Sequence, residues 1–395
     1  MRGLSQSHPL ARKSKPDPRR CGREYDRGAG ALHRFGGYPN RQTVVSVVSR
    51  PGGRVVAGLA LAGLSAAPVA LFGLQVLAPQ RAEAQAGSQS ILLVSYAVTK
   101  AAYDRIIPRF EADWKKKTGQ SVDVKTSYGG SGSQTRAVLD GLEADVVGLA
   151  LSADVEKIES KGLIKKGWEA EYPNRSIITN SVVAIFTRPG NPKKINTWSD
   201  LDNKSVEVIT ANPKTSGGAR WNFLGIWGSV TRGGGTEAKA RSFITNVYRN
   251  VDVLPKDARE ATDTFVKRRQ GDVLLNYENE AILAKRTGEW TTPYKVPSPN
   301  ILIEGPIAVV DQNVDKHGTR KVAEAFAKYL FSPTAQKIFV DEGFRPVTPQ
   351  GKAYAAGKFP EVKTFNVVDL GGWKAVSKKF FDKGGLWDQI FSQSR

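Results

Sequence analysis

Sulfur is nearly missing from this chain. One cysteine, Cys21, and one methionine, Met1, occur in 395 residues. A lone cysteine excludes an intramolecular disulfide framework and any thiolate metal cluster. Histidine is almost as scarce, with only His8, His33 and His317. Beyond residue 86 a histidine-based metal centre is therefore excluded, and a Ser-His-Asp machine would have only His317 as its base. No G-x-x-x-x-G-K-[ST] is present, so any ATP hydrolysis belongs to a partner. No internal repeat stands out, and no low-complexity tract follows residue 86.

What is present begins with a long apolar run. Residues 55–79, VVAGLALAGLSAAPVALFGLQVLAP, follow Arg50 and Arg54 and precede Ala82-Glu83-Ala84-Gln85-Ala86, which offers A-x-A patterns. This reads as a secretory signal peptide cut after Ala86, within a leader over 1–86. A permanent membrane anchor is the alternative, since the run is long enough to span. Residues 1–86 carry 13 Lys and Arg against 4 Asp and Glu, so the remaining 309 residues hold 45 against 34. The formal charge of +20 thus falls to +11 for the exported part. Its basic residues are dispersed in short runs such as Lys115-Lys116-Lys117, the pattern of solvated helix faces and not of a nucleic-acid stripe. Both sulfur atoms fall in the leader; sulfur economy is one reason for this, with chance and resistance to oxidation as alternatives.

Strands and helices then alternate. Ile91–Val94, residues 122–127, 144–151, 181–187, 206–209, 251–254, 273–275 and 301–310 read as strands. Tyr103, Ile106, Ile107, Phe110 and Trp114 share one face of a helix that Thr118-Gly119 ends, and a further helix is expected over 321–331. Alternation implies an α/β fold with mostly parallel sheets, and 309 residues favour two lobes. Ligands of such sheets bind beyond the carboxyl ends of strands, where the next helix begins.

One such junction stands out. Val206, Val208 and Ile209 lead through Asn212-Pro213 to Ser216-Gly217-Gly218 and an amphipathic helix with Trp221, Leu224 and Trp227 on one face. Two glycines where a helix starts leave first-turn N–H groups unblocked at the positive end of the helix dipole. Such a terminus holds a small anion without a cationic side chain. A turn needing only backbone freedom would look the same in isolation. Here Ser95-Tyr96-Ala97, Gly129-Gly130-Ser131-Gly132 and Asp257-Ala258-Arg259 repeat the small, polar character at other junctions.

Five blocks, SYAVTKAAYDR, YGGSGSQTRAV, NPKTSGGARWN, DARxATxTF and GDVLLNYENEA, occur in order between Ser95 and Ala281. In them the chain resembles the periplasmic sulfate-binding proteins of ABC importers from about Ile91 to its C-terminus. The resemblance implies a type II-like binding protein of two α/β lobes joined by crossover strands and closing on one dehydrated sulfate. It divides the chain into 87–180 as the first part of lobe 1, 181–302 as lobe 2, and 303–395 as the return to lobe 1 with C-terminal helices. It also implies backbone N–H donors from Ala97, Ser216, Gly217, Gly218 and Ala258, a contact from Ser131, and a side-chain donor at Tyr277. Gly130, Gly132 and Arg259 are expected as support around them. Two positions depart from the family pattern: Ala97 replaces an aspartate, and Tyr277 replaces a tryptophan. A backbone donor survives the first change, whereas a phenol both donates and accepts. Asp257 and Glu260 have capping-box spacing, which would take N–H groups that the anion needs.

Sulfate at neutral pH carries no proton, so each oxygen seeks a donor, while hydrogen phosphate keeps a proton that needs an acceptor. A site of donors alone disfavours phosphate by leaving that proton unpaired. The expectation is a non-catalytic periplasmic receptor, without cofactor or metal, monomeric, passing sulfate to an inner-membrane ABC permease with a cytoplasmic ATPase and binding no nucleic acid. Thiosulfate, molybdate and phosphate receptors are alternatives within the class. An exported serine hydrolase using Ser131 is the alternative outside it, although Gly129-Gly130-Ser131-Gly132-Ser133 lacks the last glycine of a G-x-S-x-G elbow.

Overall fold

The computed structural model describes residues 88–394. The leader expected over 1–86, its apolar run and the cleavage after Ala86 lie outside these residues. The first sheet has the order β2-β1-β3-β9-β4, from β1 (Gln89–Tyr96), β2 (Val122–Gly129), β3 (Val146–Gly148), β4 (Ile177–Ser181) and β9 (Ile303–Val309). The second has the order β5-β7-β6, from β5 (Val183–Thr187), β6 (Val208–Ile209) and β7 (Val273–Tyr277). β8 (Asn300–Ile301) pairs in parallel with β10 (Thr364–Phe365). The pairs β1–β2, β1–β3 and β6–β7 are parallel. Among the named strands, antiparallel pairing enters through β9 and β5, which carry the chain between sheets.

Helices flank both sheets: α1 (Lys100–Thr118), α2 (Ser131–Leu139), α3 (Ser152–Ser160), α4 (Gly217–Thr231), α5 (Glu237–Arg249), α6 (Ala258–Val266), α7 (Glu278–Thr287), α8 (Asp311–His317), α9 (Arg320–Tyr329) and α10 (Pro333–Asp341). α1 buries Tyr103, Ile106, Ile107, Phe110 and Trp114, the face expected from spacing, and ends at Gly119 with φ 74°. α4 differs from expectation: every residue from Gly217 to Gly228 is buried. The C-terminal segment covers its outer side, with Phe380, Phe381 and Trp387 set edge-on around Phe223 at centroid distances of 5.6, 5.5 and 6.1 Å.

Two lobes result, each with its own sheet and helices, and the chain crosses between them at Val182 and Leu302. The strand expected over 301–310 is interrupted at Leu302, where pairing passes from β10 to β3 and β4. The strand expected over 251–254 does not form. Its neighbours Asn250 and Pro255 each accept one bond, from Val208 and Asn212, and Pro255 has no N–H to continue a ladder. Past α10 the chain makes a third passage, where Asn180 and Arg345 exchange backbone hydrogen bonds of 2.8 Å in both directions.

His317, the last residue of α8, ties that helix to the start of β3. Its Nδ1 lies 3.0 Å from Asp145 Oδ1 and its Nε2 2.9 Å from Glu143 Oε2. Hydrogen bonds to these two carboxylates hold its pKa above the ordinary 6.5, against a smaller opposing effect of burial. A raised folded pKa gives stability that is complete below the unfolded value and is lost as pH rises through the folded one. The melting temperature of the wild-type protein relative to His317→Gln is therefore expected to fall as pH rises above the ordinary imidazole range, about 6.5. A constant difference as pH rises would show that the pair of carboxylates does not hold the imidazolium.

Candidate anion-binding site

Four strand-to-helix junctions and the start of α6 meet in one cavity of about 180 Å³. Ala97 follows β1; Gly130 and Ser131 follow β2; Ser216, Gly217 and Gly218 open α4; Asp257 and Ala258 open α6; and Tyr277 ends β7. All seven residues expected to bind the anion line this space, as does Gly130 from the supporting set, whereas Gly132 and Arg259 do not. So little free space restricts the occupant to a few heavy atoms.

Three helix N-termini supply the wall. Gly130 is the N-cap of α2, Ser216 of α4 and Asp257 of α6. The two capping side chains each serve their own third helical N–H: Ser216 Oγ accepts from Ala219 N at 3.3 Å and Asp257 Oδ1 from Glu260 N at 2.9 Å. Asp257 and Glu260 do not close a reciprocal capping box. Glu260 reaches back to Lys256 N at 2.9 Å, one residue before the cap. Among the described residues, nothing accepts from the N–H groups of Ser131, Gly217, Gly218 and Ala258. No Lys, Arg or His lines the cavity, so its positive potential comes from peptide dipoles.

The two serines exchange the parts expected of them. Ser131 donates its hydroxyl proton to Asp154 Oδ2 at 2.7 Å and accepts from Ala150 N at 3.0 Å, leaving only its backbone N–H for the cavity. Ser216 has its backbone N–H committed to Asn212 O at 2.8 Å, which corrects the expectation of an N–H donor there. Its hydroxyl, already accepting from Ala219, keeps one proton to donate. Tyr277 is buried, and its hydroxyl has no partner among the described residues. Burial first, then Tyr96, Asp154 and Glu280, push the phenol well above its usual pKa, so it stays protonated.

Gly130 and Gly217 allow the two lobes to touch. A Cβ on Gly130 would lie 2.5 Å from Thr215 O, and one on Gly217 2.6 Å from Ala150 Cβ. Gly132 N donates across the same seam to Thr215 O at 3.0 Å. Arg259 lies in a neighbouring groove, bound to Glu289 at 2.8 Å and Glu280 at 3.3 Å. It holds the α6–α7 side of the site and makes no wall contact.

Residues 91–345 match the family model described as bacterial extracellular solute-binding protein. This chain belongs to that family. Among relatives of this solute-binding protein, the sulfate-binding protein of Synechocystis sp. is 58% identical over 306 residues, covering 77% of this chain and 87% of the relative. The thiosulfate-binding protein of Pseudomonas aeruginosa is 39% identical over 308 residues, covering 77% and 93%. The solved structure of the sulfate-binding protein SubI from Mycobacterium tuberculosis matches with a TM-score of 0.69 at 37% identity, covering 74% of this chain and all of that one. These likenesses are to receptors, not enzymes, and the local chemistry of the solute-binding protein agrees. The Ser131 hydroxyl donates to an ion-paired carboxylate, and His317 is held between Asp145 and Glu143, so Ser131 has no imidazole base.

Sequence reading did not single out the pair that backs this wall. Asp154 of α3 is fully buried and meets Arg220 of α4 at 3.5 Å and Lys157 at 2.8 Å. Burial opposes its charge most strongly, yet Arg220 and Lys157 together lower its pKa. Trp221 Nε1 donates to Ala150 O at 2.8 Å beside it. The usable signal was one arginine inside an otherwise apolar and uncharged helix stretch.

Proposed function

We propose that the protein captures sulfate from outside the cytoplasm, closes its two lobes on it, and presents the closed form to an ABC permease whose ATPase is cytoplasmic. The observation that carries this reading is a small cavity walled by three helix N-termini with unpaired N–H groups and no cationic side chain. Ser131, Gly217, Gly218 and Ala258 give backbone donors, Ala97 completes the wall from β1, and Ser216 and Tyr277 give hydroxyl donors. Gly130 and Gly132 let the lobes meet, and Arg259 supports α6. Lobe boundaries at 181 and 303, with the segment past Arg345 returning to the second lobe against α4, belong to the same proposal, as do export with cleavage after Ala86, a periplasmic location and a monomeric state.

The uncommitted lining groups are mostly N–H and O–H donors, and the one carboxylate in the lining, Asp257, has its Oδ1 turned to its own helix. A fully ionised tetrahedral anion is satisfied there. Hydrogen phosphate would bury a proton without an acceptor, at a cost of about 1–3 kcal/mol, roughly ten- to hundredfold in affinity. Thiosulfate is the second reading, favoured by the 39% identical relative. Its terminal sulfur is a poorer acceptor for the same donors. Calorimetric titration of the exported chain with sulfate, thiosulfate, molybdate and phosphate is expected to rank sulfate first and phosphate last. Phosphate binding as tightly as sulfate would end the donor-only account.

A further inference from the structure

We propose that Glu342 is a positioning residue for the anion site, a latch that fixes α1 and α7 against each other; this rests on the sulfate reading above. Both helices begin at the cavity: α1 just after Ala97, and α7 directly after Tyr277. They leave it side by side. Ala101 and Asp104 of α1 share a groove with Glu280 and Leu283 of α7. Next to it, Arg105 shares a second groove with Ile282 and Arg286. α1 belongs to the lobe of the first sheet and α7 to the lobe of the second, so this seam is one along which the lobes meet.

Glu342 closes the far end of the seam. It follows α10, is almost fully buried, and its two carboxylate oxygens go to different lobes. Oε1 accepts from Arg105 Nη1 at 2.6 Å, and Oε2 accepts from Arg286 Nη2 in a short contact. Three residues later the same segment binds the other end of α7. Arg345 Nε and Nη2 reach Glu278 Oε2 and Oε1 at 2.6 and 3.0 Å, and Glu278 is the first residue of α7. Between these two points the segment lies directly on the helix. Gly343 has φ 86°, and a Cβ there would sit 2.8 Å from Ile282 Cβ and 2.9 Å from Asn279 Cα.

Residues 342–345 therefore grip α7 at positions eight residues, or about 12 Å, apart. The polarity suits the helix, with a carboxylate at its N-terminus and a guanidinium at its C-terminus. A buried carboxylate that loses one cationic partner keeps its desolvation penalty, so the arrangement is held firmly. Tyr277 is one residue from Glu278, and Ala97 is one turn before Ala101. A loosened latch lets α7 rotate from α1 and spreads these two walls apart. The competent closed fraction then falls, and apparent affinity falls with it.

The test uses the absence of cysteine beyond residue 86. Lys161→Cys and Lys239→Cys, exposed positions on the two lobes, take paired spin labels in the exported chain. In the labelled wild type, sulfate is expected to give one short, narrow interlobe distance. Glu342→Gln is expected to bind sulfate about tenfold more weakly through faster dissociation, with a broadened distance distribution. Arg286→Gln, at a half-exposed site, supplies the same comparison if Glu342→Gln does not fold. Lys285→Gln, in the same groove, is expected to leave affinity within about twofold. A folded Glu342→Gln or Arg286→Gln variant with wild-type affinity and a narrow distance overturns the latch. If the wild type closes on a different anion and not on sulfate, the sulfate reading fails, and the variants are then compared with that anion.

Discussion

Gly130→Ala is expected to abolish tight sulfate binding while leaving the protein folded. The backbone at Gly130 has φ −64° and ψ 135°, which alanine adopts freely, so nothing local resists the change. The obstacle is across the seam. The new methyl would stand 2.5 Å from Thr215 O and 3.1 Å from Lys256 O, both main-chain atoms of the other lobe. Neither can swing aside as a side-chain tip could. The clash exists only when the lobes meet, so opening the hinge relieves it at no cost to either lobe. Raising the closed state by about 3 kcal/mol, at the upper end of overpacking costs, predicts a loss of roughly a hundredfold or more in affinity. Calorimetry should show the loss, and small-angle scattering should find the variant extended at sulfate concentrations that compact the wild type. An unchanged melting temperature distinguishes this from damage to the fold. A variant that binds like the wild type would mean that the lobes do not meet at Gly130.

The location of the cavity was legible in the sequence because its chemistry is carried by backbone. Glycines and small polar residues after apolar runs mark places where peptide N–H groups lie bare, and five such places in a receptor-like order define one cleft. The atom used at each place was not legible. Ser131 and Ser216 are both serines at helix starts, and their roles are set by partners elsewhere: Asp154, 23 residues on, takes the Ser131 proton, while Asn212 takes the Ser216 N–H. The Asp154–Arg220 pair was hidden for the same reason, since 66 residues separate two groups that meet only when the lobes do. Strand limits were misread where burial is two-sided. ILIEGPIAVV is apolar on both sides of Leu302, so composition does not show that the chain leaves one sheet and enters another. In 251–254 the residue types suit a strand, but Pro255 ends the donors that a ladder needs.

Tyr277→Phe is expected to move affinity and stability in opposite directions. The Tyr277 hydroxyl is buried, faces Gly218, and has no acceptor among the described residues; a Cβ on Gly218 would lie 3.2 Å from the oxygen. A buried O–H of this kind costs about 1–3 kcal/mol until something accepts from it. Its proton is not lost by ionisation, because burial, with Tyr96, Asp154 and Glu280 adding to it, holds the phenol well above its usual pKa. A phenol oxygen can also accept, but if it accepted from hydrogen phosphate its own proton would still lack a protein partner. The phenol therefore meets the anion protonated, with its proton free to donate. Removing the hydroxyl takes one charge-assisted hydrogen bond from the anion, about 1.5–3 kcal/mol, or roughly a tenfold to hundredfold weaker sulfate complex. The same change relieves the orphaned hydroxyl of the protein without anion, whose melting temperature should stay level or rise. Affinity for sulfate in the wild type should stay flat through the ordinary tyrosine range near pH 10, since the phenol does not ionise there. Equal sulfate affinity in Tyr277→Phe would remove Tyr277 from the site, and a fall in both affinity and melting temperature would make it a packing residue instead.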